Sequence, residues 1–229
     1  MDDYLERFKA MVEELKAHPD VVVTHFLTFP PVSERVISRI DRHLKVELHS
    51  SIKSFFRQTN GLQLKWIHRK DPKFNPSRQY IFSETPFSIH DVLGDDGHFT
   101  GCVNILPMAD AFMNPEMWEG LSWFAGEDED DERKSILPFD FFDFYYDMAF
   151  LLEDPDSDPI VMLGTDHLAS HDDGFETRFE TYMEYVLLQK GSVDSRQLGF
   201  WNVKGLDETR YELSDFNGLK PLDLDNIPL

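Results

Sequence analysis

The chain has 229 residues, with 22 Lys and Arg against 43 Asp and Glu, a formal net charge of −21. That argues against a nucleic-acid binder, which needs a basic footprint, and against docking on anionic lipid, while a hydrophobic fraction of 41% with 20 Phe is too apolar for a wholly disordered chain. No stretch approaches the roughly 18 uninterrupted apolar residues of a membrane span, the opening Met1–Asp20 lacks the apolar core of a signal peptide, and a single cysteine, Cys102, forms no internal disulfide, so a cytoplasmic globular protein is expected.

Residues 3–17 read as an amphipathic helix. Leu5, Phe8, Met11, Val12 and Leu15 recur at helical spacing among charged residues, and His18-Pro19 ends the run. Val21–Phe29 is β-branched and apolar, the composition of a strand, and Pro30-Pro31 punctuates it. Ser33 is placed to cap a second helix through about Leu44, with Val36, Ile37, Ile40 and Leu44 on one face. A third helix begins after Ser50 or Ser51, shows Ile52, Phe55 and Phe56, and stops at Asn60-Gly61, where Gly supplies a left-handed C-terminal residue. Leu62–Ile67 alternates as a half-buried strand should, and Gln79–Phe82 reads as its returning partner across a polar loop.

Beyond the loop, short helices are expected near Ser88–Val92 and Met108–Met113, with a strand ending at Ile105-Leu106 and another at Leu121–Phe124. Tyr145–Leu152 and Ile160–Gly164 read as two strands joined by the turn Glu153–Pro159, whose Asp, Ser and Pro suit a turn. Residues 174–189 carry Phe175, Phe179, Tyr182, Met183, Val186 and Leu187 at helical spacing. From 191 to 229 the pattern weakens into an extension packed on the domain or trailing from it. Helices, then strands, then a final helix predict α+β: a single domain with a mostly antiparallel sheet flanked by helices. One core should include Ile52, Phe55, Phe56, Phe179 and Tyr182.

Catalytic signatures are missing: no nucleophile elbow, phosphate-binding loop, dinucleotide fingerprint or zincin helix occurs. Cys102, between Gly101 and Val103, reads as a small buried side chain. Asp166-His167 and His171-Asp172-Asp173 would share a helical face and chelate a metal, but they follow a strand and end at Gly174, so a loop is expected and no metal is assigned. Asp154, Asp156 and Asp158 alternate like the start of a calcium loop without its later Gly and Glu, and read as a turn. The acidic run Glu127, Asp128, Glu129, Asp130, Asp131 and Glu132 reads either as a solvated loop or as an electrostatic docking surface for a basic partner.

The order of pieces then resembles the SUKH superfamily, the group of the yeast cell-wall-assembly (Smi/Knr-type) regulator. Leu48–Gly61 is similar to its signature helix, with Leu48, Phe55-Phe56 and Asn60-Gly61 before the strand, although His49 stands at the usual proline. Ile105-Leu106-Pro107-Met108 resembles its strand-to-helix step, Ile136–Asp140 its central segment, Pro159-Ile160-Val161 the strand before the last helix, and Phe175, Phe179 and Tyr182 its closing helix. The resemblance is strongest over 33–190, within a domain spanning 1–190. It implies no enzymatic activity and no cofactor, and a module that binds a protein, here an immunity-type protein neutralising a nuclease-like toxin. A cell-wall or glucan-synthesis regulatory scaffold is the alternative, and a metal-dependent hydrolase using His167 and His171 a third. Replacing both histidines with Ala should leave stability and binding nearly unchanged; a stoichiometric metal in the purified protein would overturn the non-metal reading.

Overall fold

The apolar spacing at the N-terminus is realised as helix α1 (Tyr4–Ala17), whose side chains Tyr4, Phe8, Met11, Val12 and Leu15 are buried. The Asp3 carboxylate caps it by accepting from the Glu6 N–H at 3.1 Å. In the computed structural model, residues 3–86, 99–114, 136–143, 147–151, 160–164, 175–194, 210–211 and 220–227 are described. The expected elements at 88–92 and 121–124 and the turn at 153–159 lie outside them.

Strand β1 (Val21–Thr28) leads through the two prolines into α2 (Glu34–Leu44) and α3 (Ser50–Gln58). Ser33 stands at the N-cap of α2 without a side-chain cap bond. His49 fills the position where the resemblance expects proline, and its Nδ1 accepts from the Ser51 N–H at 3.3 Å, capping α3. The end of α3 differs from expectation. Thr59, in extended conformation, closes it, and Gly61 lies beyond the cap with φ +104°. There it serves close backbone approach, since a Cβ would sit 2.6 Å from the Ile105 carbonyl oxygen.

The sheet follows: β2 (Leu62–His68), β3 (Gly101–Ile105), α4 (Met108–Met113), β4 (Ile136–Phe141), β5 (Asp147–Leu151), β6 (Ile160–Gly164), β7 (Phe175–Arg178), α5 (Phe179–Leu188) and β8 (Arg210–Tyr211). Its eight strands lie in chain order, each antiparallel to the next except the parallel pair β7·β8. The fold is thus one α+β domain with a mostly antiparallel sheet and helices packed against it. Among the described residues no helix is long and apolar enough to cross a membrane.

Three further readings change. Strand β2 is buried on both faces, not one, because it sits inside the sheet between β1 and β3 and its polar side is covered too; Phe99 lies 4.7 Å from the Lys65 Nζ there. Its return strand is β3, so Gln79–Phe82 stays outside the sheet, with one isolated bridge from Ser83 to His25. Phe175–Arg178 is a strand, so the last helix begins at Phe179. The C-terminal extension contributes β8 and a segment that docks through buried Leu222 and Leu224, with the Leu222 N–H donating to the Leu188 carbonyl at 3.0 Å.

One core holds all five residues expected of it, each no more than 1% exposed. Much of it is aromatic. Phe55 meets Phe179 edge-on at 5.9 Å, Phe56 meets Phe112 at 6.2 Å, and Phe139 stacks on Phe150 at 4.1 Å, so α3, α4, α5, β4 and β5 share one ring network. Trp66 lies against Gly101, where any Cβ would run into the indole, and its Nε1 donates to the Lys190 carbonyl at 2.8 Å. Phe55→Ala and Phe179→Ala should each cost about 3–5 kcal/mol in denaturant unfolding. Gly101→Ala should cost roughly 1–3 kcal/mol by forcing the indole to move; an unchanged midpoint in any of the three would contradict this packing.

Candidate functional site

Two kinds of polar feature carry chemistry: carboxylates inside the sheet and cations on the surface. The interior group depends on a bulge in β4. Register slips between Pro138 and Asp140, which lets both Phe139 and Asp140 reach the helix-covered side of the sheet. Asp140 is fully buried; its Oδ1 accepts from the Asn104 N–H at 2.7 Å and its Oδ2 from the Tyr182 hydroxyl at 2.5 Å. Those bonds join β3, β4 and α5. Charge-assisted bonds of this length position strands and helices firmly.

Residues paired across the sheet share its opposite side. Gln63 lies beside Asn104 and donates from Nε2 to its Oδ1 at 2.9 Å. Asp147 lies beside Phe141. Burial, with the negative charge of Asp140 adding to it, pushes the Asp147 carboxyl up to about 7, against a pull downward from its own backbone N–H. The Asp147 Oδ2 and the Asn104 Nδ2 are buried without a hydrogen-bond partner. A carboxyl in that setting is neutral below neutrality and costly once charged.

Charge is unevenly divided along the chain. Residues 33–82 hold eleven of the 22 cations but four of the 43 acids, a net +7 against −28 for the rest. On α2, Arg35, Arg39 and Arg42 form an exposed stripe opposite buried Ile37 and Ile40. Other cations in this stretch are tied up: Arg57 forks onto Glu34 at 2.6 and 2.9 Å, and the buried Lys53 is held by Asp41 at 2.9 Å and Glu47 at 3.0 Å. Loop 69–82 carries Arg69, Lys70, Lys73 and Arg78 against Asp71 alone. Counting charge in windows would have revealed this partition, which the total of −21 conceals.

The sequence-derived sites fall as follows. Glu127, Asp128, Glu129, Asp130, Asp131 and Glu132 lie outside the described residues, as do His167, His171, Asp154, Asp156 and Asp158. Cys102 sits in β3 at 1% exposure. Among the described residues no group of three His, Cys, Asp or Glu is placed to hold a metal ion. No family model, no curated protein and no solved structure matches the chain.

Asp147 makes stability fall as pH rises. Its folded carboxyl holds a proton to about pH 7, whereas the unfolded one releases it near 3.8. The contribution is therefore full below the lower value, erodes between the two, and is gone above the upper, a loss on the order of a few kcal/mol. Asp147→Asn should flatten that dependence. Urea unfolding of both proteins from about pH 5 to about pH 8 measures it, and parallel pH profiles would show that Asp147 does not hold its proton.

Proposed function

We propose that this chain is a non-enzymatic protein-binding module of the SUKH type, an immunity-type protein that neutralises a nuclease-like toxin by binding it. The observation that carries the reading is the charge of −28 gathered outside residues 33–82. A nuclease presents a basic groove to phosphate, and a strongly acidic protein complements it and accelerates encounter. The ordered series of motif resemblances from Leu48 to Tyr182 supports the same class. The run Glu127–Glu132 is the densest acidic segment and the part of the docking surface the proposal names.

The test takes the toxin domain encoded beside this chain's gene in its native host. Wild-type protein should inhibit the toxin at equimolar ratio, and a variant with several of Glu127–Glu132 reversed to Lys should associate more slowly while dissociating at nearly the same rate. Raising salt, which shortens the Debye length from about 10 Å at 0.1 M to about 3 Å at 1 M, should erase the difference. The variant should keep its unfolding midpoint, since exposed ion pairs are worth only about 0–1 kcal/mol. An association rate indifferent to both salt and charge reversal would sink the acidic surface as the binding element.

A further inference from the structure

The loop after β2 is built, not merely connecting. Asp71 is buried at its base: its Oδ1 accepts from the Lys73 N–H at 2.9 Å and its Oδ2 from the Thr100 hydroxyl at 2.7 Å. The Thr100 Oγ1 accepts in turn from the His68 N–H at 2.9 Å, so the carboxylate ties the loop to the end of β2. Asn75 braces the tip, accepting from the Ser77 N–H at 2.9 Å through Oδ1 and from the Arg78 N–H at 3.0 Å through its carbonyl. Its own N–H donates to the Tyr80 hydroxyl at 3.0 Å. Pro72 and Pro76 restrict φ at two further positions.

On this frame stands a stacked pair of rings with a guanidinium beside each. The Arg69 guanidinium lies 5.7 Å from the Phe74 ring centre, Phe74 and Tyr80 stack at 5.1 Å with 12° between planes, and the Arg78 guanidinium lies 5.8 Å from Tyr80. Next to it in the chain come Ile81 at 66% and Phe82 at 41% exposure, the large hydrophobic side chains most open to solvent among the described residues. Lys16 sits 5.3 Å from the Phe82 ring. Arg, Tyr and Phe on a stiff loop, beside an apolar step, are the residues that dominate binding hot spots, and a braced loop loses little entropy on docking.

We propose that loop 69–82 is a second docking surface, for an acidic partner segment in which one or two carboxylates flank an apolar side chain. The carboxylates meet Arg69, Lys73 and Arg78, and the apolar side chain covers Ile81 and Phe82. The loop's single acid is buried in its base, so its own exposed charges are positive, although Asp20 lies 3.5 Å from Lys70 and Asp194 acts electrostatically on Lys73, on a chain that is otherwise strongly negative. Local charge favours a short acidic segment over a nucleic acid. A polyanion extends its phosphates well past a Debye length of about 10 Å into the field of the remaining acids, whereas two carboxylates sense only the loop. This proposal does not rest on the acidic surface assigned to a basic partner, and either can fail alone.

A random-peptide display library selected on the full chain tests it, with dye-labelled copies of the enriched peptides for titration and labelled oligothymidylate as the nucleic-acid probe. Selection should enrich peptides pairing Asp or Glu with Leu, Phe or Trp. Their affinity should fall about tenfold or more in Arg78→Glu, in Lys73→Glu and in Ile81→Ser combined with Phe82→Ser. It should persist in Arg35→Glu combined with Arg39→Glu, which reverses charge on α2 instead. All these positions are exposed, so the unfolding midpoint should hold. No enrichment, enrichment of peptides without acids, equal binding by the loop variants, or binding of oligothymidylate in place of peptide would each overturn the proposal.

Discussion

The carboxylate of Asp140 is the interaction on which the two halves of the sheet depend. Strands β3 and β4 meet in a single Cα pair, Ile105 with Asp140, the thinnest register in the sheet. The side chain supplies what the ladder lacks, accepting from the Asn104 N–H, while the Leu106 N–H donates to the Phe139 carbonyl at 2.7 Å. The same carboxylate takes the Tyr182 hydroxyl, so α5 is fastened at the junction it covers. The bulge at Phe139 makes both possible by turning two successive side chains toward the helices. One becomes the hydrogen-bond hub, and the other stacks on Phe150 in the ring network.

That junction also explains why so acidic a chain stays folded. A net charge far from zero favours expansion through self-repulsion. Opposing it is an interior in which aromatic residues from five elements interlock, with Phe8, Phe55, Phe56, Phe139, Phe150 and Phe179 all at 0% exposure. Large rings each bury much apolar area and add edge-to-face attraction. The abundance of Phe and the abundance of acids are therefore linked: the first makes the second tolerable.

Helices α1, α2 and α3 were legible because each shows an apolar face at helical spacing with recognisable residues at its ends. The junction at Arg178 was not, because Phe175 falls in helical phase with Phe179 and the period alone cannot separate a short strand from the helix that follows it. Gln79–Phe82 reads as a strand by composition, yet its apolar side chains face solvent, and only the tertiary pairing of β2 with β3 reveals that. Asp140 and Asp147 were hidden for a different reason. Among 43 acids, nothing local marks these two as folding into the interior, since a bulge and strand register decide it.

The charge partition was present in the sequence and concealed by its own sum. A total of −21 argues against nucleic acid as a general partner, but it does not describe what any one surface offers, because electrostatic recognition acts within about a Debye length of 10 Å. Over that range the stripe on α2 and the loop after β2 are basic, whatever the remaining chain carries. Encounter with a large, highly charged partner is governed by the whole field, and the whole field is negative. Encounter with a short segment is governed by the patch it touches. A chain with this division can therefore favour one class of partner by its total charge and another by a local exception.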